Sequence, residues 1–157
     1  LFPYTTLFRS GEFGTGGILH HVEGRRVGIG REHVAVQSEP RRGKMDDQDR
    51  FWFAEYTADK IGMFDVKTSK ITEWFSGVKW AGTYTASVPD GKGRVYSPAG
   101  AADRVFRLDP KSGEVVGYLM PTQDFDVKQA VIDPSNPKVL WMGNERNARL
   151  IKLESLD

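Results

Sequence analysis

One unit, written three times, constrains this chain more than any other feature. Phe51–Phe75, FWFAEYTADKIGMFDVKTSKITEWF, lines up with Val95–Leu119, VYSPAGAADRVFRLDPKSGEVVGYL, at a constant offset of 44 residues. Asp59 falls on Asp103, Lys60 on Arg104, Ile61 on Val105, Asp65 on Asp109, Lys67 on Lys111 and Trp74 on Tyr118. A third copy opens at Leu140, LWMGNERNARLIKLE, where Arg149, Leu150 and Leu153 match Arg104, Val105 and Leu108 at an offset of 45. A chain that repeats its turns in register folds as a stack or ring of like units.

The unit is built of strands. Phe51–Glu55, Lys60–Phe64 and Ile71–Phe75 are short aromatic or β-branched runs bounded by Asp, Ser, Thr and Lys, the pattern of antiparallel strands joined by tight turns. One further run precedes each copy: Arg42–Met45, Ala86–Val88 and Gln129–Ile132. Four strands per repeat of about 40–50 residues is the mark of a β-propeller blade. Helix-pair solenoids need periodic segments of about ten residues or more, and none stands out. The fold class expected is therefore all-β, with antiparallel four-stranded blades in an incomplete arc of three to three and a half. Ile61, Val105 and Leu150, with Phe64, Leu108 and Leu153, are expected to pack between neighbouring blades. Asp65 and Asp109 should cap turns through their carboxylates. Gly113 suits a left-handed turn position where the first copy has Ser69. Asp90-Gly91 and Gly93 should form the other hairpin.

Composition removes several function classes. The formal net charge is +1, so no bulk electrostatic attraction to nucleic acid or an anionic membrane is expected. There is no cysteine, which excludes disulfides, zinc–thiolate sites and thiol catalysis. No apolar run approaches the roughly 18 residues of a membrane span. Hydrophobic content of 39% with 11% aromatics suits a packed core.

The first residues read differently from the rest. Leu1–Ser10, LFPYTTLFRS, resembles the in-frame translation of a common sequencing adapter, so it is set aside as an artefact ahead of a truncated start. Residues 11–37 read as linker or partial blade, with Arg26–Ile29 (RVGI) echoing Lys60–Met63 (KIGM) and His33–Gln37 as a further strand. The repeats divide residues 38–157 at about 38–80, 81–122 and 123–157. His20 and His21 are neighbours on a strand-like run, so they point to opposite faces and do not chelate together; with His33 they read as solvated. Gly28-Ile29-Gly30 lacks the strand–helix setting of a dinucleotide fingerprint. Asp46, Asp47 and Asp49 resemble half a calcium loop without its Gly and distal Glu, and read as a solvated hairpin.

Residues 38–157 resemble the C-terminal blades of the streptogramin lyase (virginiamycin B lyase) family of seven-bladed propellers. The resemblance is carried by FWFAEYTADKIGMFDVKTSKITEW, by DRVFRLDPKSGEVVGYL, and by WMGNERNARLIKLESLD at a family-like chain end. NHL-type and gluconolactonase-like propellers share much of the blade motif. The resemblance implies elimination at an ester of a cyclic depsipeptide, with a histidine base, Mg²⁺ stabilising enolate charge, and an acid. The implied histidines follow a proline on the innermost strand, in the pattern P-H-[AG]-I. Here EPRRG, GTYTA and DVKQA put Arg41, Tyr84 and Lys128 at those positions. None serves as a base near neutrality without a large pKa shift. Glu39 and Glu55 match acidic family positions, and the resemblance makes them the candidate catalytic carboxylates and Mg²⁺ ligands; the metal site is otherwise unassigned.

Two expectations follow. One is a streptogramin-lyase-like enzyme opening a cyclic ester or lactone, inactive as this stretch alone. The other is a non-catalytic propeller that binds a small polar or anionic ligand, or a protein partner, at its channel face through Arg41, Tyr84 and Lys128. The full-length protein is expected to be a bacterial monomer, periplasmic or secreted.

Overall fold

The computed structural model describes residues 19–22, 25–28 and 38–156. The chain divides into two units, residues 1–37 and 38–157. In the first, β1 (Leu19–Val22) and β2 (Arg25–Gly28) form an antiparallel pair with His20 opposite Val27 and His21 opposite Arg26. The adapter-like stretch, His33 and the proposed strand at 33–37 lie outside the described residues.

The second unit is three antiparallel sheets in chain order. The first is a meander of β3 (Pro40–Met45), β4 (Arg50–Glu55), β5 (Lys60–Asp65) and β6 (Lys70–Phe75). The second contains β7 (Val95–Ala99), β8 (Arg104–Asp109) and β9 (Glu114–Leu119), with a 3₁₀ turn at Gly100–Ala102. The third contains β10 (Val127–Ile132), β11 (Val139–Asn144) and β12 (Arg149–Glu154). The register repeats: Trp52 faces Met63, Tyr96 faces Arg107 and Trp141 faces Lys152. Among the described residues the regular structure is all β apart from that one 3₁₀ turn, as the repeat predicts.

Alternation of side chains across each strand gives every sheet two faces, and the sheets stack face to face. Trp52 and Ile61 from the first sheet pack with Val95, Ala99, Phe106 and Leu108 of the second and with Ala81 and Ala86 of the connection between them. One step on, Tyr96 and Val105 from the second sheet pack with Phe125, Val127, Ala130, Leu140 and Met142. Each of the larger aliphatic and phenylalanine side chains contributes about 1.5–3 kcal/mol on burial, and each alanine less. Ile61 and Val105 are both 0% exposed, whereas Leu150, their counterpart, is 75% exposed. The expectation that Leu150 packs between blades is not met, because it lies on the face of the third sheet turned away from the second.

The turns are organised by aspartates. Asp65 Oδ1 accepts the Lys67 and Thr68 amides at 2.9 Å, and Asp109 Oδ1 accepts that of Lys111 at 2.9 Å. Ser69 (φ 56°) and Gly113 (φ 77°) share the left-handed position expected of them. A second hub is stronger. Asp46 accepts the Gln48 and Arg50 amides, Arg50 Nε at 2.7 Å and Trp52 Nε1 at 2.8 Å. Its side chain is nearly fully buried, so within a hairpin whose Asp47 and Gln48 are exposed, Asp46 alone departs from the solvated reading. Asp90 repeats the arrangement with Arg94 and Tyr96, and Asp133 with Trp141.

Ala86–Val88 does not form the expected strand. The innermost segment of the second sheet is instead held by single bridges, Thr83 to Ala99 and Thr85 in parallel to Arg42. Ser87 explains the interruption: its hydroxyl oxygen accepts the Tyr96 amide at 2.9 Å, replacing a ladder carbonyl. The first segments of the three sheets thus run beside one another. Arg42 Nη1 reaches the Lys128 carbonyl (3.4 Å) and Lys44 Nζ the Ala130 carbonyl (3.2 Å), joining β3 to β10.

Candidate ligand site on the channel face

Arg41, Tyr84 and Lys128 come together. β3 places Arg41, the bridged segment after Gly82 places Tyr84, and β10 places Lys128. The Arg41 guanidinium carbon lies 4.8 Å from the Tyr84 ring centre and Lys128 Nζ lies 4.6 Å from it. Two residues that the repeat did not single out complete the group. Tyr56, in the β4–β5 hairpin, meets Tyr84 edge-on at 5.8 Å and takes Arg41 over its ring at 4.1 Å. Arg42 lies 5.6 Å from the Tyr84 ring. Cations over aromatic rings gain roughly 0.5–2 kcal/mol each, depending on desolvation, and here three of them share one phenol. The EPRRG motif carries the signal for Arg42: two adjacent arginines on one strand, of which only Arg41 falls at the repeated position.

A cleft of about 320 Å³ opens beside this group, lined by Tyr56, Tyr84, Lys128, Asp103, Asp126 and Arg146 among others. Lys128 forms a very short ion pair with Asp126, which lowers the Asp126 pKa. Arg146 reaches Asp124 at 3.3 Å and Asp126 at 3.5 Å. Arg41 pairs with Glu39 at 3.3 Å. Its pKa is raised: burial acts downward, and the contacts with Tyr84 and Glu39 outweigh it. Arg41 is therefore a permanent cation.

The two carboxylates are in unlike settings. Glu39, at a left-handed φ of 45°, is half exposed and engaged by Arg41. Glu55 is 0% exposed, and among the described residues neither of its oxygens has a hydrogen-bond partner of good geometry. Burial, then the facing carboxyl of Glu73, pushes Glu55 up to about 8, with Lys60 and Ser38 acting the other way. Mg²⁺ asks for ionised oxygens in an open octahedral arrangement. One candidate is neutralised by arginine and the other is buried and protonated at neutral pH, so this pair does not fit the ion as arranged. Among the described residues no group of three or more His, Asp or Glu is placed to hold a metal.

Antiparallel sheets stacked face to face and a 44-residue repeat define the second unit as an incomplete β-propeller-type arc. No protein-family model matches the chain, and no curated protein matches it in sequence. Solved structures do match in fold. A streptogramin B lyase superposes with a TM-score of 0.73 at 18% identity, over 90% of this chain and 49% of that one. Virginiamycin B lyase from Staphylococcus aureus gives 0.62 at 17% identity, over 78% and 43%. Regucalcin from Agrobacterium tumefaciens, a calcium-binding protein, gives 0.59 at 15%, over 90% and 53%. At these identities the likeness is one of fold. The chain spans about half the length of each. Among the described residues no helix is long and apolar enough to cross a membrane.

Proposed function

We propose that the channel face binds a small polar or anionic ligand through Arg41, Tyr84 and Lys128, with Arg42 and Tyr56 supporting them. The observation that carries this is the convergence of three cationic side chains, from two sheets, on one tyrosine ring. Arg41 and Lys128 each commit an N–H to Glu39 and Asp126, and the donors that remain on a guanidinium and an ammonium suit a polar or anionic acceptor. Titration of small carboxylates and phosphates into the protein, followed by calorimetry at low and high salt, tests it. Binding that weakens with salt and falls in Arg41→Gln and Lys128→Gln supports the reading. Binding unaffected by both substitutions refutes it.

The second reading is a carbon–oxygen lyase opening a cyclic ester or lactone. It draws its support from the fold likeness to streptogramin B lyase and from the blade motif. Against it stand Arg41, Tyr84 and Lys128 at the positions where the resemblance implies histidine, and the poor fit of Glu39 and Glu55 to Mg²⁺. Incubation of the full-length protein with a streptogramin B ring, with and without EDTA, decides it by mass spectrometry: an EDTA-sensitive ring-opened product would establish lyase chemistry, and an intact ring would refute it.

A further inference from the structure

The third sheet stops one strand short. In the first sheet β5 pairs with β4 on one side and β6 on the other, and in the second β8 pairs with β7 and β9. β12 holds the same place in the third sheet, and among the described residues it pairs with β11 alone. The Ser155 amide donates to the Lys138 carbonyl at 2.9 Å. Antiparallel bonding alternates from residue to residue. Arg149, Ile151 and Leu153 therefore bond inward to β11, and the N–H and C=O groups of Leu150, Lys152 and Glu154 point outward. The complete sheets agree. The Ser76 amide donates to the Asp59 carbonyl at 2.9 Å and the Met120 amide to that of Asp103 at 2.8 Å, which puts the counterparts of Leu150 and Lys152 on the outer ladder.

Outward-facing backbone on an edge strand is a template for an added strand, and the two equivalents specify its side chains. Ile61 lies opposite Trp74 and Val105 opposite Tyr118; Leu150, their counterpart, is 75% exposed with nothing opposite it among the described residues. Trp74 stacks on Trp52 at 5.9 Å, and Trp141 holds the place of Trp52 in the third sheet. Arg107 lies 5.7 Å from the Tyr118 ring and reaches Glu114 at 4.0 Å, and Lys152 is the counterpart of Arg107. We infer that the outer edge of β12 binds an extended peptide segment of another protein chain as an antiparallel strand. That segment carries a tryptophan or tyrosine opposite Leu150, where it meets Trp141 and Lys152, and an acidic residue four positions before it. The edge is on the opposite side of the sheet from β10 and Lys128, so this binding is separate from that of a channel-face ligand.

A synthetic peptide with the sequence of residues 112–121, SGEVVGYLMP, is the probe, labelled for fluorescence anisotropy and titrated with the intact chain. Saturable binding is expected. Tyr118→Ala in the peptide should weaken it about tenfold, through loss of an aromatic contact and a cation–π contact. Methylating the Val116 nitrogen of the peptide removes a ladder donor without touching the protein and should abolish binding. Lys152→Pro in the protein removes one outward donor, keeps the bonds to β11 and should abolish binding with the circular-dichroism melt preserved. Binding that survives N-methylation overturns the proposal, as does binding that a folded Lys152→Pro variant retains. No saturable binding at millimolar concentration overturns it. So does a parent dimer in sedimentation that Lys152→Pro splits, because a second copy then occupies the edge.

Discussion

Glu55 should make the stability of this protein fall as pH rises through neutrality. Its carboxyl ordinarily titrates at 4.5 and is pushed to about 8 by burial and by Glu73. Below pH 4.5 the group is protonated in both folded and unfolded chains, and it exerts no pH-dependent pull. Above that value the unfolded carboxyl ionises while the folded one keeps its proton. Each pH unit then costs about 1.4 kcal/mol of stability, up to a ceiling near 5 kcal/mol above pH 8. Relaxation and water penetration reduce such figures, so a loss of about 2–3 kcal/mol between pH 5 and pH 8 is expected. Glu55→Gln keeps the size and removes the charge, and its amide can donate to Glu73. The variant should match the parent at pH 5 within about 1 kcal/mol and exceed it by about 2 kcal/mol at pH 8. Urea unfolding at four pH values between 5 and 8, monitored by tryptophan fluorescence, measures the difference. A stability gap that stays constant across that range would refute the reasoning, because Glu55 would then be titrating normally.

Other perturbations follow from single contacts. Asp46→Ala removes acceptors for Arg50, Trp52 and two amides and should cost about 1–3 kcal/mol in chemical denaturation; because burial is outweighed by those bonds and Asp46 titrates below its usual value, the parent's advantage should shrink as pH drops through 4. Gly43→Ala places a Cβ 2.1 Å from the Trp52 carbonyl oxygen, a backbone atom that cannot step aside, and should cost about 3 kcal/mol or prevent folding, read from the circular-dichroism melt. Val105→Lys buries a charge at a 0% exposed position and should unfold the arc, whereas Leu150→Lys at the 75% exposed counterpart should stay within about 0.5 kcal/mol of the parent. Asp59→Ala leaves the amides of Trp80 and Gly82 without the carboxylate that holds them at 2.7 and 2.9 Å; the strained Trp80, with φ of 60°, should relax, changing its fluorescence.

The architecture was legible because it is local and repeated. Turn aspartates, strand alternation and a constant 44-residue offset each depend on residues a few positions apart, and the sheets follow them within a residue or two at the ends. Ala86–Val88 misled because its hydrophobicity reports burial, while its pairing is decided by the hydroxyl of Ser87 against Tyr96. Leu150 misled for a related reason: the repeat assigns it the same role as Val105, but burial depends on what lies opposite, which a repeat within one sheet does not encode.

The site was half legible on the same logic. Arg41, Tyr84 and Lys128 were found because they occupy one repeated position, and ring symmetry aims equivalent positions at a common axis. Tyr56 and Arg42 occupy different positions in the repeat and reach Tyr84 only through the curvature of the arc. Their charges and rings come from β3, a hairpin and β10, segments up to 86 residues apart. The matching of charges on that face follows from the same geometry. In the sequence, basic and acidic residues nearly cancel, 22 against 21, and suggest nothing; in the fold, Arg41 is answered by Glu39 and Lys128 by Asp126. Those two pairs join residues two positions apart, whereas Arg146 reaches Asp124 and Asp126 across a whole hairpin, a match that only the fold makes visible.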